Sequence, residues 1–178
     1  IQRRLQGWAD SPLTEKGKRV VHEMGEKLRE HRFQAAFCST LPRTLITAQM
    51  ILSAAQQEHL PIMALNDLRE YHDAWLDDYR HANHNIMSET LVKLDDKAET
   101  EAHFTARLQR AMSQVVAYSP DVGRVLVVTH GMAIVALLKA IDSKSILYKS
   151  PANASVSRIH FDGENWRILS VGETEFDA

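Results

Sequence analysis

His130 is the residue whose position most suggests chemistry. It follows the apolar run Val125–Val128, which is unbroken and rich in β-branched side chains, and it precedes the apolar segment 132–141. Such a run, bounded by residues that break regular structure, predicts a strand buried on both faces of a parallel sheet, and the segment after it predicts a packed helix. His130 would then lie at the carboxyl end of a strand and before a helix amino terminus, where α/β proteins bind ligands and favour anions. By itself the segment is equally compatible with a histidine that only stabilises a turn.

Two more polar residues follow the ends of other predicted strands. Arg43 comes four residues after Ser39, where a predicted strand over 33–38 ends, and Glu70 comes shortly after a predicted strand over 61–65. If these strands are parallel, Arg43, Glu70 and His130 meet at one edge of the sheet. A polar loop before the first helix adds three candidates, Arg4, Gln6 and Gly7.

This combination of side chains is suited to a phosphate group. An arginine presents a planar fork that holds two phosphate oxygens at once, and helix amino termini add backbone donors. A carboxyl group beside them could protonate a leaving oxygen if burial raised its pKa. Taken singly, an arginine near a helix start or a glutamate in a loop is more commonly a surface residue, so the residues alone leave the functional and the structural interpretation open.

The elements that would position these residues alternate between helices and strands. Val21, Met24 and Leu28 give one apolar stripe to a helix that begins after Thr14 and runs to about Glu30. Beyond the strands already given, we expect helices over about 42–56, 99–118 and 132–141, and strands over 156–161 and 166–171 joined by an Asp-Gly hairpin turn. The alternation predicts one α/β domain with a mostly parallel sheet and a C-terminal antiparallel hairpin.

Composition limits the class of protein. The chain has 178 residues, a net charge of −2 and no apolar run long enough to span a membrane, which argues against nucleic acid or a membrane as partner. The single cysteine, Cys38, lies in an apolar run and fits a reducing compartment, and we expect a cytoplasmic protein. We expect the polar stretch 66–103 to cover the ligand face as a loop, a weak helix at about 86–95 and a second loop. Three of the four histidines in it, His72, His81 and His84, and the pair Asp77-Asp78 match no standard metal-ligand spacing.

Five segments, in order, resemble motifs of the histidine phosphatase superfamily (phosphoglycerate mutase-like). The segment 4–17 (RLQGWADSPLTEKG) is similar to the one that follows that family's Arg-His-Gly signature, and the segment 39–48 (STLPRTLITA), which contains Arg43, resembles its second arginine motif. Leu68-Arg-Glu70 resembles its acid motif, Val127-Val-Thr-His130-Gly131 its second histidine motif, and the segment 151–156 (PANASV) its late loop and strand. After Glu70 the stretch Tyr71–Asp78 departs from the family's usual aromatic and glycine pattern.

The resemblance implies a three-layer α/β/α sandwich and a phosphoryl transfer through a phosphohistidine. Arg4 and Arg43 would bind the phosphoryl oxygens, and His130 would stabilise charge in the transition state. Glu70 would donate a proton to the leaving group. Further contacts to the phosphate or substrate are implied for Gln6, Gly7, Gly131 and Asn153. The implied substrate is a small phosphorylated molecule, the product is inorganic phosphate, and neither a metal nor another cofactor is implied.

The family's nucleophilic histidine has no counterpart among residues 1–178. By the family spacing it would lie about seven residues before Ile1, on a central strand of the sheet. We therefore expect 1–178 to be a single histidine-phosphatase-like domain that is incomplete at its N-terminus.

Two other functions remain open at this stage. A phosphoglycerate mutase would pass the phosphoryl group back to substrate instead of to water, although the chain is short for the glycolytic mutases. A non-catalytic member would bind a phosphorylated ligand or a protein partner. The oligomeric state is not predicted.

Overall fold

The computed structural model describes Trp8 and residues 12–72, 99–121, 123–144 and 151–175. Four α-helices and five strands occur in these ranges. The helices are α1 (Glu15–Lys27), α2 (Pro42–Ala54), α3 (Glu101–Ala117) and α4 (Gly131–Ile141), and the strands are β1 (Phe33–Ser39), β2 (Ile62–Leu65), β3 (Arg124–Val128), β4 (Val156–Phe161) and β5 (Trp166–Glu173). A short 3₁₀ turn, Asn66–Leu68, follows β2. No helix in these ranges is both long enough and apolar enough to cross a bilayer.

The predicted elements are confirmed with small shifts of their ends. The Thr14 hydroxyl accepts the Gly17 N–H at 3.1 Å and so caps α1, and Pro42 is the first residue of α2. Helix α1 ends at Lys27 rather than near Glu30, because Leu28 is buried and the chain turns there into β1. Helix α3 begins at Glu101, so the last residues of the predicted 66–103 excursion are helical. The weak helix expected at about 86–95 lies outside the described residues.

A three-stranded parallel sheet in the order β2-β1-β3 forms the centre of the fold. Strand β1 alternates its side chains between two helical layers, as the period-2 pleat requires. Ala36 and Cys38 pack with residues of α1 and α2, whereas Phe37 packs with residues of α3. The predicted three-layer α/β/α architecture is therefore present.

Helices α1 and α2 approach each other closely at Gly25. A Cβ built on Gly25 would lie 2.6 Å from the Cβ of Ala54 and 2.8 Å from the carbonyl oxygen of Ile51. The first helical layer is packed at van der Waals distance, and only a residue without a side chain fits at this crossing.

Strands β4 and β5 form the predicted antiparallel hairpin as a separate two-stranded sheet. In its turn the Asp162 carboxylate accepts the N–H groups of Glu164 and Asn165 at 3.0 and 2.8 Å, and Gly163 takes a positive φ of 103°. Side chains of both strands, Ile159 and Trp166, pack against the layer that contains Phe37. Within the described ranges β3 and β4 do not pair, so each has one neighbouring strand.

Candidate active site

Three strand ends bring the predicted residues to one edge of the parallel sheet. Ser39 pairs in register with Leu65, and Cys38 with Val128, so β1, β2 and β3 end side by side. His130 follows β3 and is the N-cap residue of α4, and Gly131 is the first residue of that helix. Arg43 lies in the first turn of α2 after β1 and is 9% exposed. Glu70 follows the 3₁₀ turn after β2 and is half-buried.

The His130 imidazole is 7% exposed and contacts a buried hydroxyl at the end of β1. Its Nε2 lies 2.7 Å from the Oγ of Ser39, and that oxygen lies 2.8 Å from the Oγ1 of Thr44. The Ser39 Oγ also accepts the N–H of Leu41 at 3.2 Å. The histidine after β3 is thus held by the loop between β1 and α2.

The donors and acceptors around Ser39 and Thr44 indicate which nitrogen of the His130 ring carries the proton. The Thr44 Oγ1 lies 2.8 Å from the Leu41 carbonyl and 3.0 Å from the Ser39 carbonyl, and both can only accept, so the single Thr44 proton points to them. The Ser39 hydroxyl must then donate to Thr44, and it is left to accept from His130. Nε2 therefore holds the proton in the neutral ring, and Nδ1 is the nitrogen available to a ligand.

His130 is neutral at ordinary pH. Burial is the largest cause, and the positive charges of Arg43 and Arg107 add to it, so the pKa of His130 is lowered to about 3. Arg43 therefore acts electrostatically on the histidine across the strand ends.

The Glu70 carboxylate faces the amino terminus of α4. One of its oxygens accepts the Met132 N–H at 3.1 Å, and the other accepts the Tyr71 N–H at 2.9 Å. Burial raises the pKa of Glu70, and the backbone donors and the Arg43 charge offset only part of this rise. A glutamate with a raised pKa keeps its proton to a higher pH than an exposed one, as a general acid requires.

The remaining candidates are placed differently. Asn153 is exposed in the turn before β4. Arg4, Gln6 and Gly7 lie outside the described residues. Their neighbour Trp8 is described, and its Nε1 donates to the backbone carbonyl of Glu70 at 2.8 Å.

Sequence reasoning assigned no role to three residues that the structure connects with this edge. Ser39 and Thr44 hold His130, and Arg107 on α3 binds the backbone around Glu70. The signal for Arg107 was present in the sequence: it falls between Phe104 and Leu108 on the apolar stripe of α3, where an arginine is buried and must be paired.

The other polar candidates are accounted for as follows. Cys38 is fully buried, and burial raises the pKa of its thiol to about 11, which confirms that it packs as a small apolar residue. Within the described ranges no group of three or more His, Cys, Asp or Glu side chains could hold a metal ion. His81, His84 and Asp77-Asp78 fall outside those ranges.

The chain is similar to known proteins over most of its length. The family model for the histidine phosphatase superfamily (branch 1) matches residues 1–174. The chain belongs to the histidine phosphatase superfamily. Among curated relatives of this chain, the uncharacterized phosphatase PhoE of Bacillus subtilis (strain 168) is 32% identical over 174 residues, which is 94% of this chain and 85% of PhoE.

Solved structures show the same fold. A phosphoglycerate mutase from Bacillus anthracis str. Sterne superposes with a TM-score of 0.82 at 27% identity, covering 96% of this chain and 86% of that chain. YhfR from Bacillus stearothermophilus gives a TM-score of 0.79 at 27% identity, with 96% and 89% coverage. The phosphoglycerate mutase-like fold expected from the sequence is confirmed, and the relatives of this chain include both phosphatases and mutases.

Proposed function

We propose that this protein is a phosphomonoesterase that hydrolyses a small phosphorylated metabolite through a phosphohistidine intermediate. The observation that carries the proposal is the convergence of Arg43, Glu70 and His130 at one sheet edge, where Arg43 shifts the pKa of both other groups. This constellation binds an anion, stabilises its developing charge and supplies a proton.

Each residue then has a defined task. Arg43, with Arg4 from the preceding loop, binds the phosphoryl oxygens, and Gln6, Gly7 and the Gly131 backbone line the same pocket, with Asn153 as a minor contact. The Nδ1 of His130 accepts the proton of a phosphoryl O–H group, and the resulting imidazolium lies beside the transition-state charge.

Glu70 completes the reaction cycle as acid and then as base. The nucleophilic histidine attacks phosphorus as the P–O bond to the leaving group breaks, and Glu70 gives its proton to that oxygen. In the second step Glu70 takes a proton from water as the water oxygen attacks phosphorus, the P–N bond breaks and inorganic phosphate leaves.

We place the nucleophilic histidine on a strand before Ile1. The sheet supports this placement, because β3 is an edge strand in the described part of the chain, and a strand that paired parallel to it would end at the same edge as His130. We further propose that the stretch 66–103 selects the substrate, and that the enzyme acts in the cytoplasm on small molecules rather than on nucleic acid or membrane lipids.

The test is phosphate release from a panel of phosphate monoesters by the natural protein including the segment before Ile1. Arg43→Met should lower kcat/KM by at least ~100-fold, as loss of transition-state charge stabilisation does, whereas Arg19→Met on the exposed face of α1 should leave it unchanged. Equal activity in the two variants would contradict the proposal. A chelator should not change the activity.

Phosphoglycerate mutase activity is the second candidate, since one of the solved structures with this fold is a phosphoglycerate mutase. Isomerisation of 3-phosphoglycerate without net phosphate release would support it against the phosphatase. If neither the natural protein nor its variants show phosphatase or mutase activity, the result would support a non-catalytic protein that binds a phosphorylated ligand.

A further inference from the structure

Arg107 uses all five of its N–H donors on one short stretch of backbone and one carboxylate. Nε and one terminal nitrogen donate to the two oxygens of Glu99, at 2.6 and 2.8 Å. The other three N–H groups donate to the backbone carbonyls of Asp67, Arg69 and Glu70, at 3.0, 2.7 and 2.8 Å. An arginine offers five donors and no more, so every donor of this guanidinium has a partner.

The guanidinium is buried and its charge is compensated locally. Arg107 is 8% exposed, and its guanidinium lies over the ring of Phe104, with Cζ 4.7 Å from the ring centroid. A buried charge is costly unless it is paired and fully hydrogen-bonded, and Glu99 meets that requirement with a bidentate contact. Glu99 is itself tied to the start of the polar stretch, because its N–H donates to the His72 carbonyl at 3.0 Å and its Oε2 accepts the His72 N–H at 3.3 Å.

These contacts hold the backbone carbonyl of Glu70 and do not involve its carboxylate. Arg107 belongs to the 17-residue helix α3, which is a rigid base for the three carbonyls it binds. The carboxylate of Glu70 is held separately by the Met132 N–H at the start of α4. The backbone of Glu70 is therefore fixed by one helix and its carboxylate by another.

We propose that Arg107, oriented by Glu99, is a positioning residue for the proton donor Glu70. This inference rests on the proposed function, in which Glu70 protonates the leaving oxygen. Displacement of a general acid by about 1 Å impairs proton transfer far more than it impairs binding. Loss of Arg107 should therefore act on the chemical step and only where that step needs a proton.

The experiment uses the protein with the segment before Ile1 and compares two substrates. p-Nitrophenyl phosphate has a leaving group that barely needs a proton, whereas an alkyl phosphate has one that does. In Arg107→Lys, which keeps the charge but loses the five-donor fork, kcat on the alkyl phosphate should fall at least ~10-fold more than kcat on p-nitrophenyl phosphate. KM for both substrates should change little.

Arg110→Lys is the matched control. Arg110 lies on the same helix, is exposed, and pairs with the Asp67 side chain instead of the backbone around Glu70. Arg110→Lys should leave the ratio of kcat on the alkyl phosphate to kcat on p-nitrophenyl phosphate unchanged. Glu99→Gln keeps the shape of the side chain that Arg107 binds and removes its charge. This variant should also lower kcat on the alkyl phosphate more than kcat on p-nitrophenyl phosphate, although by less than Arg107→Lys, and it serves as the test if Arg107→Lys folds poorly.

A second readout does not require activity. In the ¹³C spectrum of the Glu70 carboxyl group, Arg107→Lys should move the pKa of Glu70 down towards that of an exposed glutamate, and Arg110→Lys should not. Equal losses on both substrates together with an unchanged Glu70 titration would overturn the inference. Failure of the unaltered protein to hydrolyse either ester would instead overturn the proposed function, and the titration would still decide the role of Arg107.

Discussion

The Oγ of Ser39 lies 2.7 Å from the Nε2 of His130, although the two residues are 91 positions apart in the chain. Ser39 is the last residue of β1, and His130 follows the neighbouring strand β3. The hydroxyl accepts from the ring because its own proton is used on Thr44. Register between two parallel strands thus sets both the orientation and the tautomer of the histidine.

Removal of the Ser39 hydroxyl should disturb catalysis through His130. In Ser39→Ala the ring loses the acceptor for its Nε2 proton, so the Nδ1–H tautomer becomes accessible and kcat/KM should fall about 10-fold or more. The ¹⁵N shifts of the His130 ring report the tautomer directly. Ser53→Ala, an exposed serine at the end of α2, is the control. Unchanged ring shifts in Ser39→Ala would show that the serine does not select the tautomer.

Glu70→Gln should remove the proton donor while keeping the side chain's shape. Because burial raises the pKa of Glu70, the rate on an alkyl phosphate should decline as pH rises through that raised value, where the donor loses its proton. The glutamine variant should be slow on this substrate and should lack that decline. Its rate on p-nitrophenyl phosphate should change much less than its rate on the alkyl phosphate. Equal losses on the two substrates would exclude Glu70 as the acid.

Burial of neutral His130 should make stability pH-dependent. A histidine with a folded pKa of about 3 and an unfolded value near 6.5 contributes stability that is complete above pH 6.5 and is lost as pH falls towards 3. Between pH 7 and pH 5 this amounts to about 2 kcal/mol of the free energy of unfolding. This contribution of His130 can be measured by urea unfolding of the unaltered protein and of His130→Asn at pH 7 and pH 5. The difference in the free energy of unfolding between the two proteins should change with pH by that amount. A difference between them that does not change with pH would contradict the buried neutral state.

The close approach of α1 and α2 predicts a cost at Gly25. Gly25→Ala places a methyl group against the Ala54 side chain and the Ile51 carbonyl, so the helices must separate and the free energy of unfolding should fall by about 1–3 kcal/mol. Gly17→Ala, in the first turn of α1, meets only the flexible Thr14 hydroxyl at 3.3 Å and should cost less. Equal urea midpoints for the two variants would show that the crossing can relax.

Local sequence signals predicted the elements well and the long-range contacts poorly. The run Val125–Val128 gave β3, and Thr14 and Pro42 gave two helix starts, because period and capping are local properties. Because the carboxyl ends of parallel strands lie at the same edge of a sheet, Arg43, Glu70 and His130 were expected to lie close together.

The partners of those residues depend on packing and register instead. No spacing rule relates Ser39 to His130 or Arg107 to the Glu70 carbonyl, since each pair is joined only when helices and strands pack in three dimensions. Arg107 could have been suspected from its place on an apolar helix face, but its five acceptors, three of them backbone carbonyls, leave no trace in the sequence.

The most direct test of the proposed phosphatase site is the kcat/KM of His130→Ala for phosphate-ester hydrolysis, measured in the full-length protein. We expect a fall of at least ~100-fold, because the variant lacks the group proposed to stabilise charge on the phosphoryl group. His160→Ala, an exposed histidine on β4, should keep full activity. Near-normal turnover in His130→Ala would contradict the assignment of this sheet edge as the active site.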